Sequence, residues 1–221
     1  MKLLLLADDE CSSIWDYYTP GKLSGYDAIL SAGDLKSEYL TFLVTMSNRP
    51  LVYIHGNHDT NYEKKPPEGC ICADDRLITV GGLRILGLGG CRNYNGGQWQ
   101  FSEQKMKARI RKLELAVRCA GGVDIILTHT PPLGYGDAED YAHIGFECFL
   151  PMIDKWKPKV LVHGHIHKTY GRDIPREIEY NGTRIINAYE RYDLELPDPD
   201  PDTVSRYVFP NLKLIRKKDV Y

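Results

Sequence analysis

The sequence predicts an α/β protein with layers of mixed β-sheet, on three observations. Short, continuous apolar runs recur along the chain, at 2–7, 27–32, 51–54, 84–88, 123–127 and 160–162, and read as buried strands. Segments with helical apolar spacing separate several of them, which is the βα alternation of a layered fold. Late in the chain the pattern changes to a hairpin around Asn181-Gly182, a two-residue turn signal, so antiparallel strands join the parallel ones. No internal repeat and no linker divides the chain, and residues 1–221 are expected to form one domain.

The elements follow in order. Residues 2–7 are a continuous apolar strand, and 27–32 are a second that ends at Gly33-Asp34. Residues 37–47 suit a helix with Leu40, Leu43, Val44 and Met46 turned inward. Pro50 opens a strand that runs through Ile54 to a turn at Gly56. Residues 84–88 are a strand, and the glycine-rich stretch 87–97 reads as a loop. Ser102 is a good N-cap for a helix to about Cys119, with Met106, Ile110, Leu113 and Val117 as its apolar stripe and Gly121-Gly122 as its stop. A helix around Phe149, Met152, Ile153 and Trp156 must hold Pro151 in its first turn or kink there. A hairpin over 177–188, an acidic, proline-rich loop at 198–202 and a last strand pair, 204–209 with 212–215, complete the reading.

Composition narrows the function. A hydrophobic content of 43% and a charged content of 26% suit an ordinary globular protein. A formal charge of −2 provides no broad basic surface, so general nucleic-acid binding is not expected. The apolar N-terminal stretch is too short for a signal-peptide core, no stretch is long enough to span a bilayer, and a cytoplasmic location is expected. The six cysteines are read as reduced thiols, and Cys70 and Cys72 lack the Cys-x-x-Cys spacing of zinc or redox sites.

The apolar runs end alike. Their tips are Asp8-Asp9-Glu10, Gly33-Asp34, Gly56-Asn57-His58-Asp59, Thr128-His129 and Gly164-His165-Ile166-His167. One such tip alone is as readily a packed, hydrogen-bonded polar residue, but five in this order point to a metal centre on the edge of a sheet. A hydrolase for phosphate esters must neutralise anionic oxygens and make a hydroxide near neutral pH, and two divalent ions about 3.5–4 Å apart do both.

The ordered tips, from Asp8 to His167, resemble the calcineurin-like metallophosphoesterase superfamily. The continuation Thr128-His129-Thr130-Pro131-Pro132-Leu133-Gly134 is similar to a branch of class III cyclic-nucleotide phosphodiesterase-like proteins. The resemblance implies a four-layer α/β/β/α sandwich with a two-metal site at strand ends. It implies that Asp8, Glu10, Asp34 and His167 hold one ion and that Asp34, Asn57, His129 and His165 hold the other, with Asp34 bridging. Mixed oxygen and imidazole ligands suit Mn first, with Fe, Zn, Co, Ni or Mg as alternatives. His58 corresponds to a residue that faces the phosphate, where it either protonates the leaving group or stabilises charge on it. The implied reaction is in-line attack by a metal-bridging hydroxide on a small phosphorylated substrate, more a diester than a monoester, with cyclic nucleotides included.

Asp59 is read as a structural partner of its turn, and His55 and His163 as strand-end packing. His143 is placed at the surface or rim, and Arg92, Asn93 and Asn95 in the glycine-rich loop are read either as substrate contacts or as part of an ordinary solvated loop. Position 10 departs from the superfamily, whose members usually carry His there. Glu10 either ligates as a carboxylate, leaves one ion weakly held, or marks a site that has lost its chemistry. The last reading makes the chain a catalytically degenerate metal-binding interaction module on the same fold.

Overall fold

A computed structural model describes residues 1–167 and 175–199, and the backbone of 214–215. In chain order its strands begin β1 (Lys2–Leu6), β2 (Ala28–Ser31), β3 (Leu51–Tyr53), β4 (Ile71–Cys72), β5 (Arg76–Val80), β6 (Leu83–Leu88) and β7 (Cys91–Arg92). They continue as β8 (Gln100–Phe101), β9 (Ile125–Thr128), β10 (Val160–His163), β11 (Glu177–Tyr180), β12 (Thr183–Asn187), β13 (Tyr192–Glu195) and β14 (Leu214–Ile215). The helices are α1 (Ser37–Ser47), α2 (Glu103–Cys119) and α3 (Phe149–Trp156).

Two mixed sheets face each other between helices, an α/β/β/α sandwich of four layers. The first sheet has the order β13-β1-β2-β3-β4, parallel except for β13. The second has the order β11-β12-β10-β9-β6-β5-β14. Its middle strands are parallel, and antiparallel hairpins flank them.

The continuous apolar runs have a structural cause: both faces of each central strand are buried. Leu3 and Leu5 of β1 point into the core between the sheets, where Ile125 and Leu127 of β9 meet them. Leu4 and Leu6 point the other way, onto Tyr39, Leu40 and Leu43 of α1. Ile126 packs outward against Met106, Ile110 and Phe149 of α2 and α3. Each leucine so buried contributes roughly 1.5–3 kcal/mol of transfer free energy.

The expected helices form, with one change of face. In α1, Met46 is 44% exposed while Tyr39 is fully buried, so the buried stripe is set by Tyr39, Leu40 and Leu43. The Ser102 side chain caps α2 by accepting from the Lys105 N–H at 3.3 Å. Pro151 sits in the first turn of α3, where no intrahelical N–H is needed.

Several strands lie where none is expected. β5 forms a hairpin with β6 through Gly81 and Gly82, both at positive φ, as a two-residue turn requires. The stretch 87–97, read as loop, contains β7, which pairs with β8 over two residues. β13 buries only Leu194 of its four residues and adds to β1 at the sheet edge. At the C-terminal end, β14 pairs in parallel with β5, while the expected strand at 204–209 lies outside the described residues, as do residues 200–202 of the acidic loop. No helix among the described residues is long and apolar enough to cross a membrane.

Candidate metal centre

The parallel strands of both sheets bring their C-terminal tips together. β1 delivers Asp8, β2 delivers Gly33-Asp34, β3 leads to 56–59, β9 leads to His129 and β10 leads to 164–167. Bonds between tips lock the two sheets together at this edge. The His129 Nδ1–H donates to the Ala32 carbonyl at 2.8 Å, and the His165 backbone N–H donates to both Asp8 carboxylate oxygens at 2.9 and 3.0 Å. Asp34 Oδ1 accepts the His58 backbone N–H at 2.8 Å.

The turns are tight. Asp8, Asp34 and His165 all hold positive φ, at 68°, 57° and 67°, a region that costs non-glycine residues about 1–3 kcal/mol and clusters at functional sites. Glycine is required where tips touch. A Cβ on Gly33 would lie 2.3 Å from the Gly56 nitrogen, and one on Gly56 would lie 2.0 Å from Asp34 Oδ1. Asp59 ties the same two tips, since its Oδ2 accepts the Gly56 N–H at 2.7 Å and the Asp34 N–H at 2.8 Å. Burial and the charge of Asp34 push the Asp59 carboxyl up to about 6 against those two bonds.

His129, Asp34 and Asn57 show what the centre can hold. His129 is fully buried, with Nε2 3.0 Å from Asn57 Oδ1 and 3.3 Å from Asp34 Oδ2. Its Nδ1 proton is committed to Ala32, so Nε2 faces two oxygens that can only accept. Burial opposes the charged ring, but the charge and hydrogen bond of Asp34 override it and raise His129 to about 9. Burial also pulls Asp34 upward, but the imidazolium and the bonds from His129 and His58 hold it at about 2. Three lone-pair donors thus converge on one point, and a cation fits that donor set. Ligand atoms of Asp8, Asp34 and His129 lie within 4.8 Å of one another. Asp8, its side chain wholly buried, is raised to about 7 by burial, against the charge of His129 and with the repulsion of Asp34.

The remaining expected residues stand around this cluster. His167 Nε2 lies 3.9 Å from Asp8 Oδ1, and its ring packs against Tyr189. The His165 Nε2–H donates to the Ala142 carbonyl at 2.9 Å, and burial drives the ring down to about 3, so it is neutral. The His58 side chain is exposed at the rim. Glu10 turns from the cluster to the start of α1, where it accepts the Lys36 N–H at 3.2 Å and the Lys36 ammonium at 3.1 Å.

Two cavities open on the cluster. One, of about 400 Å³, lies over it and is bordered by His58, Tyr94, His143 and His167. The other, of about 520 Å³, lies beside α1 and is bordered by Glu10, Lys36, His58 and Lys64. Arg92 and Asn93 line neither. Arg92 donates to the Gly145 carbonyl at 3.3 Å, in the segment that leads to α3, and Asn93 accepts the Gly96 N–H at 2.9 Å within its own loop. Tyr94, the next residue, is the one whose hydroxyl reaches Asn57, at 3.3 Å. The sequence marks this loop by its glycines but carries no signal that separates Tyr94 from its neighbours. His143 lies at the rim, bonded to Asp140 and packed on His165.

A second His–Cys–Asp group, His55, Cys72 and Asp74, lies outside the cluster. Asp74 there accepts the His55 and Gly89 N–H groups at 3.0 and 2.8 Å and the His55 ring at 2.5 Å, and His55 stacks on Trp99. It is a strut between the β3 tip and the β6 tip. His163 is buried and held down to about 4 by that burial.

A two-sheet sandwich whose parallel strands end in one carboxylate–imidazole cluster defines a class of α/β proteins with a metal-type centre at the sheet edge. A family model for calcineurin-like phosphoesterases matches residues 12–169, so four of the five tips lie inside the match and Asp8 and Glu10 lie just before it. The chain belongs to the calcineurin-like phosphoesterase family. It is similar to metallophosphoesterase domain-containing protein 1 of Homo sapiens, 29% identical over 185 residues, which covers 66% of this chain and 55% of that protein. The mouse counterpart matches equally. A UPF0046 protein of Caenorhabditis elegans is 33% identical over 103 residues, 46% of this chain and 25% of that one. The chain thus spans about half the length of the mammalian relatives, or less of the nematode protein. The crystal structure of TT1561 from Thermus thermophilus superposes with a TM-score of 0.54 over 86% of this chain and 89% of that one. At 14% identity, that likeness is one of fold.

Proposed function

We propose that this chain is a dinuclear-metal-dependent phosphoesterase that acts on phosphodiesters in preference to monoesters. The observation that carries the reading is the convergence of His129 Nε2, Asp34 Oδ2 and Asn57 Oδ1 beside His58, a set of donors suited to a divalent ion. Asp8, Glu10, Asp34 and His167 would hold one ion, and Asp34, Asn57, His129 and His165 the other, with Mn the first candidate. When bound, the ions supply neutralisation of phosphate oxygens and an ionised water near neutral pH.

The protein's own groups do the rest. Ala32 fixes the His129 ring so that Nε2 stays on the cluster, as carbonyls behind ligating histidines commonly do. Asp34 is held ionised, Asp59 accepts its backbone N–H, and the His58 N–H holds its carboxylate in place. His58 stands where it can hand a proton to a departing oxygen or stabilise charge on it. The preference for diesters follows from charge. Asp8, Glu10 and Asp34 bring three negative charges against the four positive of two divalent ions, and the lower net field suits a monoanionic diester better than a dianionic monoester. Small phosphodiesters, cyclic nucleotides among them, are the proposed substrates, and the cytoplasm the proposed location.

The test is a screen of phosphomonoesters and diesters by chelator-stripped protein with Mn restored. Mn-dependent diester turnover is expected. Converting Glu10→His should move the preference towards monoesters, and an unchanged preference would refute the charge argument. The bond from Lys36 to Glu10 favours a second reading, a metal-binding interaction module without turnover. Bound metal with no hydrolysis of any ester would select it.

A further inference from the structure

We infer that the cavity beside α1 receives the leaving group and that Lys64 and Lys36 select one carrying negative charge, an inference that rests on the phosphoesterase reading above. Asp8, Asp34 and His58 border both cavities at the cluster, so they form the wall between them. A phosphate seated at the cluster with His58 at its departing oxygen therefore sends that group past His58 into the larger space, about 520 Å³. This space admits an aryl- or sugar-sized group, and Leu35 and Tyr62 give it an apolar wall.

Its charged residues are unevenly matched. Lys36, Lys64 and Lys65 line it, all exposed. With Lys36 held by Glu10 and Lys65 by Glu38, Lys64 is the lysine of this cavity that no carboxylate meets within ion-pair distance among the described residues. A carboxylate or other anionic group on the leaving group supplies the partner that the protein does not. Glu10 sets how much Lys36 adds, because it holds both the backbone N–H and the ammonium of that residue.

The experiment compares two chromogenic diesters, methyl 4-nitrophenyl phosphate and its 3-carboxy-4-nitrophenyl counterpart, in Mn-loaded protein. Intrinsic differences between the esters cancel when the ratio of their kcat/KM values is compared across variants. The ratio, carboxylated over neutral, should fall about fivefold in Lys64→Ala, the size of an exposed charge pair, and further in Lys64→Glu. An identical ratio in wild type and both variants overturns the inference while leaving the phosphoesterase reading in place. No turnover of either ester by wild type overturns both.

Discussion

The tips of β1 and β2 end alike, but their carboxyl groups are shifted in opposite directions. Each places a buried aspartate at positive φ, Asp8 and Asp34, each the acceptor of a backbone N–H from another tip. Yet Asp8 is pushed up to about 7 and Asp34 down to about 2. Burial raises both. The His129 charge lowers both, but only Asp34 also bonds the ring, at 3.3 Å, whereas fuller burial and the like charges of Asp34 and Asp9 prevail at Asp8. The same residue type on the same kind of turn takes its charge from what faces it, and Asp8 is the tip left short of a cation.

The largest effect should come from removing the charged partner. Asp34→Asn should lower metal content and reduce kcat/KM at least about 100-fold, since even residues behind metal ligands cost 10–100-fold. Metal analysis and steady-state kinetics on one preparation check it, and full activity would remove Asp34 from its proposed bridging role. Next, Gly33→Ala should destabilise the β2 tip by about 3 kcal/mol or more, because its Cβ meets the Gly56 backbone at a φ of 97°. Gly25→Ala, with nothing within 4 Å, should stay within about 0.5 kcal/mol in the same denaturation series.

A smaller effect separates the two aspartates directly. With a raised pKa, folded Asp8 keeps a proton that the unfolded chain has lost between pH 3.8 and about 7, so its contribution to stability falls as pH rises through that window. Asp34 runs the other way. Its contribution is present above 3.8 and lost as pH falls through about 2. In chelator, Asp8→Asn should therefore melt a few degrees above wild type at pH 8, with the gap closing towards pH 4. Equal melting temperatures at pH 8 would count against the raised Asp8. The smallest effect concerns Glu10. Glu10→Gln should change metal-free stability by less than about 1 kcal/mol, as exposed pairs do, while the thermal stabilisation produced by Mn shrinks. An unaltered Mn effect would strip Glu10 of its proposed ligand role.

The tips are legible in the sequence for a physical reason. A strand buried on both faces is apolar throughout, so its first polar residues mark where it leaves the core, and Asp34, His129 and His165 stand there unmistakably. The same logic hides β13, where only Leu194 faces inward, and β4 and β7, which are two residues long. Met46 falls at a plausible spacing in α1, but Tyr39 takes the inward position. The cluster's residue types can be read from the motifs, whereas its surroundings depend on long-range placement. Tyr94 at Asn57, the Ala142 carbonyl at His165 and Lys36 at Glu10 join segments with no pattern in common.

Asp59 has a kinetic consequence. One of its oxygens holds the amides of both Asp34 and Gly56, which belong to different strands. An amide hydrogen exchanges with solvent only when its bond opens, and here one carboxylate leaving opens two. The amide protons of Asp34 and Gly56 should thus show the same protection once each is corrected for its intrinsic exchange rate, a paired report on the opening of this sheet edge. In Asp59→Ala both should quicken together, even though 22 residues of chain separate them.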